Sequence, residues 1–159
     1  MLSKNKIKYI HSLELKKNRK EEQVFIAEGH KLVEDLVGHF PCKLLVATSV
    51  WLSQHPGVEA DEIIEVTQDE LSKASLQKTP QGVLAIFKQP QYTYSPNDIS
   101  NGLCIALDDV QDPGNLGTII RSLDALGADG LILTGHGVDL YDPDVVVSTM
   151  GSFFALPVI

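Results

Sequence analysis

A two-part α/β fold is predicted by three observations. Short apolar runs alternate with stretches of helical periodicity along most of the chain. A polar, proline-containing stretch without periodicity, Lys88 to Asn101, interrupts the alternation. Beyond it, an apolar strand runs into an acidic tip, a Pro-Gly turn and a new helix, Leu107 to Arg121. The 159 residues therefore divide into a first domain over 1–88, a linker over 89–101 and a second domain over 102–159.

Residues 3–20 read as one polar helix, with Ile7, Ile10 and Leu13 as its apolar stripe and Tyr9 beside it. Gln23 to Ala27 is a β-rich run closed by Glu28-Gly29, hence a strand. Lys31 to Val37 presents Leu32, Val33 and Leu36 on one helical face, and Gly38 ends it. Lys43 to Ala47 is a short buried strand, and Trp51 to His55 a helical turn stopped by Pro56-Gly57. Glu62 to Val66 is a third strand. Thr67 then caps a helix over 68–75, with Glu70 as its capping-box partner. Gly82 to Phe87 is the fourth strand.

In the second domain Leu103 to Leu107 is a strand, and Asn115 to Leu126 a helix that Gly127 terminates. Gly130 to Thr134 is the next strand and Gly135-His136-Gly137 a loop. Asp142-Pro143 opens a further helix, with Asp as cap and Pro in the first turn. Leu156 to Ile159 begins a strand. A parallel strand needs covering helices, so the second domain is expected to be the opening part of a longer one.

Composition limits the function classes. No apolar run is long enough to span a bilayer, and Met1 to Tyr9 lacks the apolar core of a signal peptide. Cys42 and Cys104, far apart in sequence, suit free thiols in a reducing cytoplasm. The net charge of −8 opposes nucleic-acid binding only on average. Lys4, Lys6, Lys8, Lys16, Lys17, Arg19 and Lys20 crowd the first twenty residues, against Glu14 alone. After Lys88 the sole Lys or Arg is Arg121, among nine aspartates from Asp98 to Asp144. Any binding to RNA phosphates is therefore assigned to the basic head. A solvated lysine-rich helix is the plainer alternative.

The informative motif runs from Asp112-Pro113-Gly114-Asn115 to Arg121. Asn115 either caps the helix or points outward as donor and acceptor toward a substrate. Gly117 lets another backbone or a ligand approach closely. Arg121, a lone cation one turn into the helix, is placed to meet an anion and shares a face with Thr118. Ile119, Ile120 and Leu123 cover core. A Rossmann glycine fingerprint and a Walker Gly-Lys-Ser/Thr are both absent, which disfavours a nucleotide-binding α/β protein. His30, His39, His55 and His136 lack partners at metal spacing, His11 lies in the basic helix, and Asp108-Asp109 reads as solvated, so no metal is assigned. Ser148 and Ser152 lack a nucleophile elbow.

The pattern Asn-x-Gly-x-x-x-Arg after an Asp-Pro-Gly turn resembles the SpoU class (TrmH-like, SPOUT superfamily) of RNA ribose 2'-O-methyltransferases. Three segments in the first half resemble that family's RNA-substrate-binding module: Leu15 to Lys20, Phe25 to Gly29 and Thr79 to Ala85. Leu107 to Gly127 and Val138 through Val158 resemble the start of its methylase domain. The resemblance implies a small ribosomal-protein-like α/β module followed by the first half of an α/β-knot domain. It implies methyl transfer from S-adenosylmethionine to rRNA or tRNA by a cytoplasmic homodimer. Asn115 and Arg121 become the catalytic residues, and Lys16, Lys17, Arg19 and Lys20 the RNA contacts. The family's cofactor motifs are expected after Ile159, so no cofactor residue is assigned, and Val147 stands where relatives often carry a basic residue. The rival expectation is a non-catalytic RNA-binding or ribosome-associated module.

Overall fold

The computed structural model describes residues 1–92, 101–149, 152 and 157–159. They fall into two compact units, Met1–Gln89 and Pro90–Ile159. The linker expectation lies largely over 93–100, outside the described residues.

The first unit contains α1 (Lys4–Ser12), α2 (Lys16–Glu22), β1 (Val24–Glu28), α3 (His30–Leu36), β2 (Cys42–Thr48), α4 (Ser49–Gln54), β3 (Glu62–Val66), α5 (Gln68–Ala74) and β4 (Val83–Lys88). Its four-stranded sheet has the order β1-β4-β2-β3. β4 runs antiparallel to both β1 and β2, and β2 pairs parallel with β3. Every residue of β1 is buried, as is β4 up to Lys88, because helices cover both faces of the sheet. On one face Val24, Ile26, Leu44, Val46, Leu84 and Ile86 pack with Ile10 and Leu13 from the α1 segment and Leu71 and Ala74 from α5. The alternate residues Phe25 and Phe87 stack at 5.5 Å between ring centroids, and Phe40 meets Phe25 edge-on at 5.3 Å. The expected box at α5 is present, Thr67 and Glu70 each accepting the other's backbone N–H.

The single helix expected over 3–20 is two helices. Leu13 ends α1, and Leu15 is extended (ψ 129°) before α2 begins. The break is stabilised by side chains from the following turn. The Arg19 guanidinium donates to the carbonyls of Leu13 and Glu14 at 3.0 and 2.7 Å, and Asn18 Nδ2 donates to Ser12 O at 2.7 Å. Carbonyls released by the break thus find donors, and Leu13 turns fully into the core.

Glu28 is buried at the end of β1, where Ser75 Oγ and the Leu76 N–H (3.0 Å) both donate to its carboxylate. Burial raises its pKa above the ordinary value, although the Ser75 and Leu76 hydrogen bonds oppose the shift. The folded chain therefore binds this proton more tightly than the unfolded chain. The resulting stabilisation is complete below the ordinary carboxylate pKa and disappears as pH rises through the raised value. Relative to Glu28→Gln, the wild-type chain is expected to gain stability as urea unfolding is moved from pH 7 to pH 5. A difference that stays constant or shrinks on acidification contradicts this account.

The second unit contains β5 (Cys104–Asp108), α6 (Pro113–Ala125), β6 (Gly130–Thr134) and α7 (Pro143–Ser148). β5 and β6 pair in parallel, Cys104 opposite Gly130 through Asp108 opposite Thr134. Val158 bridges Leu131 in parallel, so β6 lies between β5 and the end of the chain; Leu156 lies outside the described residues. Each parallel connection carries a helix, α6 and then α7, as the geometry of parallel pairing requires. Leu116, Ile120, Leu131, Val145 and Val146 are buried.

Candidate functional site

The C-terminal ends of β5 and β6 are tied together. Thr134 Oγ1 donates to Asp108 Oδ1 at 2.8 Å, and the Asp109 N–H donates to Thr134 O at 3.0 Å. Asp109 adopts a left-handed backbone (φ 58°), and its carboxylate accepts from Gln111 Nε2 at 2.8 Å. Val138 N–H donates to Val110 O at 2.7 Å. At Gly137 an added Cβ would lie 2.9 Å from Val110 N, so only glycine permits the two loops to meet this closely. Asp108 and Asp109 are therefore occupied in holding the loop that launches α6. No group of His, Cys, Asp or Glu among the described residues is arranged to hold a metal ion.

Helix α6 starts two residues earlier than the sequence pattern predicts. Its cap is Asp112, whose Oδ2 accepts the Asn115 N–H at 2.7 Å, with Pro113 at the first helical position. Aspartate is the stronger anchor here because its carboxylate also meets the positive end of the helix dipole. Asn115 is thereby relieved of capping, and it is exposed. Thr118 and Arg121 are exposed too, whereas Leu116, Gly117 and Ile120 are buried. At about 100° per residue, Asn115, Thr118 and Arg121 span an arc of roughly 120° on the outer face. Arg121 lies in the third turn rather than one turn in, on the flank of the helix and away from its N-terminal dipole.

The buried glycine of the motif meets α7. A Cβ on Gly117 would lie 2.6 Å from Ser148 Cβ and 2.8 Å from the Ser148 backbone carbon. Ser148 Oγ is 3.1 Å from Pro113 O and 2.9 Å from Val145 O. α7 is itself capped by Asp142, which accepts the Asp144 N–H at 2.9 Å. Nothing about Ser148 stands out in the sequence; the signal that could have found it is Gly117, which implied a close neighbour without naming it. Tyr141, half-buried before α7, has its phenol pKa pushed up by burial, with Tyr92 and Asp139 adding to the shift. Val147 is exposed.

In the first unit the four expected RNA contacts separate. Lys16, Lys17 and Lys20 are exposed. Arg19 is 2 % exposed and binds the carbonyls of the α1–α2 break, so it is withdrawn from the surface the lysines share. The physical reason is that its Nη1 donates to both carbonyls freed by the α1–α2 break, which holds the guanidinium inside the buried turn. Cys42 is buried and its thiol is pushed up to about 12, chiefly by burial, which leaves it protonated and inert. No helix of the described residues is long and apolar enough to cross a membrane.

Both segments of the chain are similar to known proteins. Residues 4–85 match the model of the MRM3-like substrate binding domain, and residues 102–159 that of the SpoU rRNA Methylase family. The human mitochondrial rRNA methyltransferase 3 is 31% identical over 150 residues, covering 89% of this chain and 36% of that protein. The 23S rRNA (guanosine(2553)-2'-O)-methyltransferase RlmP of Bacillus subtilis is 30% identical over 158 residues, covering 97% of this chain and 61% of its own length. The chain thus spans between 36% and 61% of these two relatives. Among solved structures, a TrmH-family protein from Porphyromonas gingivalis superposes with a TM-score of 0.90 at 35% identity, covering 99% of this chain and 62% of that one. The SpoU methyltransferase AviRb from Streptomyces viridochromogenes, in complex with AdoMet, gives 0.83 at 30% identity, covering 99% of this chain and 63% of that one.

Proposed function

Since the chain belongs to the SpoU rRNA methylase family, with an MRM3-like substrate-binding domain ahead of its methylase segment, we propose that it serves in methyl transfer from S-adenosylmethionine to a ribose 2'-hydroxyl of rRNA. Residues 1–88 bind the RNA and residues 102–159 contribute the catalytic helix, within a homodimer. The observation that carries this reading is the outer face of α6, where Asn115, Thr118 and Arg121 are exposed together while Asp112 supplies the cap. The names of the relatives favour rRNA, and that of the Bacillus subtilis protein specifies the 2'-O position.

When bound, S-adenosylmethionine supplies a methyl group on an electrophilic sulfonium. The α6 face is assigned to the RNA. Transfer requires the 2'-oxygen to be held in line with the methyl and to lose its proton. Holding such a geometry accounts for several kcal/mol of barrier lowering in general. Arg121 holds the neighbouring phosphate with its planar fork and stabilises the oxyanion that develops on the sugar. A guanidinium is a poor base at neutral pH, which favours this electrostatic role over proton abstraction, the 2'-hydroxyl proton passing to solvent water. Asn115 supplies a donor and an acceptor to orient the ribose.

The test is transfer of labelled methyl to total RNA by the protein carrying this chain, followed by alkaline hydrolysis. Methylation of the 2'-oxygen removes the internal nucleophile, so the label is expected in an alkali-resistant dinucleotide of rRNA. Label released with ordinary mononucleotides would place the methyl on a base and refute the reading.

Lys16, Lys17 and Lys20 are proposed as phosphate contacts, with Arg19 shaping the turn that presents them. Changing the three lysines to glutamate is expected to weaken RNA binding and flatten its salt dependence. Removing one lysine–phosphate pair lowers the log–log slope by about 0.7–0.9. An unchanged affinity and slope would move the RNA surface elsewhere. Arg19→Ala is expected to reduce stability first, which thermal melting distinguishes from the effect of the lysines.

A further inference from the structure

The crossing of α6 and α7 suggests a role for a residue outside the proposed contact face. Ser148 carries one hydroxyl proton and lies within hydrogen-bond reach of two carbonyls, Val145 O in its own helix and Pro113 O in the first turn of α6. Its bond to Val145 is one that any serine inside a helix can make. The bond to Pro113 exists only because Gly117 has no side chain to hold α7 away. That first turn is also gripped from outside, where Asp112 accepts the Asn115 N–H. Asp112 at the Asn115 N–H and Ser148 at the Pro113 carbonyl thus both hold the first turn of α6.

We propose that Ser148 is a positioning residue for Asn115: its hydroxyl, donated to the Pro113 carbonyl, holds the first turn of α6 in the orientation from which Asn115 meets the ribose. The inference rests on the reading of Asn115 as a substrate contact. Ser148 takes no part in the chemistry itself, since its proton is directed at backbone carbonyls rather than at a base.

Ser148→Ala keeps the Cβ that packs on Gly117 and removes only the donor, so the fold is expected to persist with a nearly unchanged melting temperature. In the protein carrying this chain, the single-turnover rate of methyl transfer is expected to fall about tenfold with RNA affinity unchanged, the size of effect that slight misplacement of a reacting group produces. The same substitution made in Asn115→Ala is expected to cost almost nothing further, because the residue it positions is gone. On the 159-residue chain alone, exchange of the Asn115 amide is expected to quicken several-fold. A wild-type rate in Ser148→Ala, an unchanged amide exchange, or an equal tenfold drop in both backgrounds overturns the inference while leaving Asn115 in its role. Full activity in Asn115→Ala refutes the reading of Asn115, and the inference falls with it.

Discussion

Arg121→Lys is expected to slow methyl transfer by about a hundredfold or more, by analogy with the removal of one oxyanion donor. The substitution keeps the charge and removes the planar fork that can hold a phosphate oxygen and a sugar oxygen together. Arg121 is exposed on the outer face of α6, whose buried face is Leu116, Gly117 and Ile120. Shortening its reach therefore disturbs no core packing, and the melting temperature should hold within the small range typical of surface changes. Affinity for S-adenosylmethionine should also hold, because Arg121 is assigned to the phosphate and the sugar of the RNA. Single-turnover methylation, cofactor titration and thermal melting on the same preparation read the three quantities. A lysine variant that turns over normally would reduce Arg121 to a solvated side chain. One that unfolds would assign it to structure.

Gly117→Ala is the second large effect, and its sign is diagnostic. In a helix interior free of neighbours, alanine is favoured over glycine by about 0.8–1 kcal/mol. At Gly117 the new methyl would meet Ser148 Cβ at 2.6 Å and the Ser148 backbone carbon at 2.8 Å. A flexible side-chain tip could turn aside, but backbone cannot, so α7 must move away from α6. Overpacking of this kind typically costs about 1–3 kcal/mol, enough to reverse the propensity gain. The second unit is expected to be destabilised, and the rate of methyl transfer to fall with it, because the Pro113–Ser148 bond is broken by the same displacement. Adding Ser148→Gly should restore little, since the backbone carbon still stands in the way. Denaturant unfolding of the single and double variants decides the matter; a more stable Gly117→Ala chain would mean that the helices do not cross at this point.

Much of this molecule was legible in its sequence because the relevant forces are local. Thr67 with Glu70, and Asp142 before Pro143, announce helix starts through hydrogen bonds that close within three residues. The strands over 62–66 and 130–134 follow from apolar runs between turn residues, and the structure has them at the same bounds. Asn115 and Arg121 were singled out through the resemblance of their motif after Asp-Pro-Gly to a known family, and the structure exposes both side chains.

What tertiary structure alone decided depends on partners distant in sequence. The order β1-β4-β2-β3, with the last strand inserted between the first two, follows from which faces can be buried together rather than from any one segment. Helical propensity runs unbroken through 13–15, yet the chain breaks there because burying Leu13 and satisfying the freed carbonyls with Arg19 and Asn18 is worth more than one added turn. The same hydrogen bonds took Arg19 out of the basic surface to which composition had assigned it. Asn115 was left exposed by a cap three residues before it, on a helix that starts two residues upstream of the expected position. Gly117 declared in the sequence that something must come close. That the neighbour is Ser148 was decided by packing, because a glycine specifies an absence of atoms and the fold supplies what fills it.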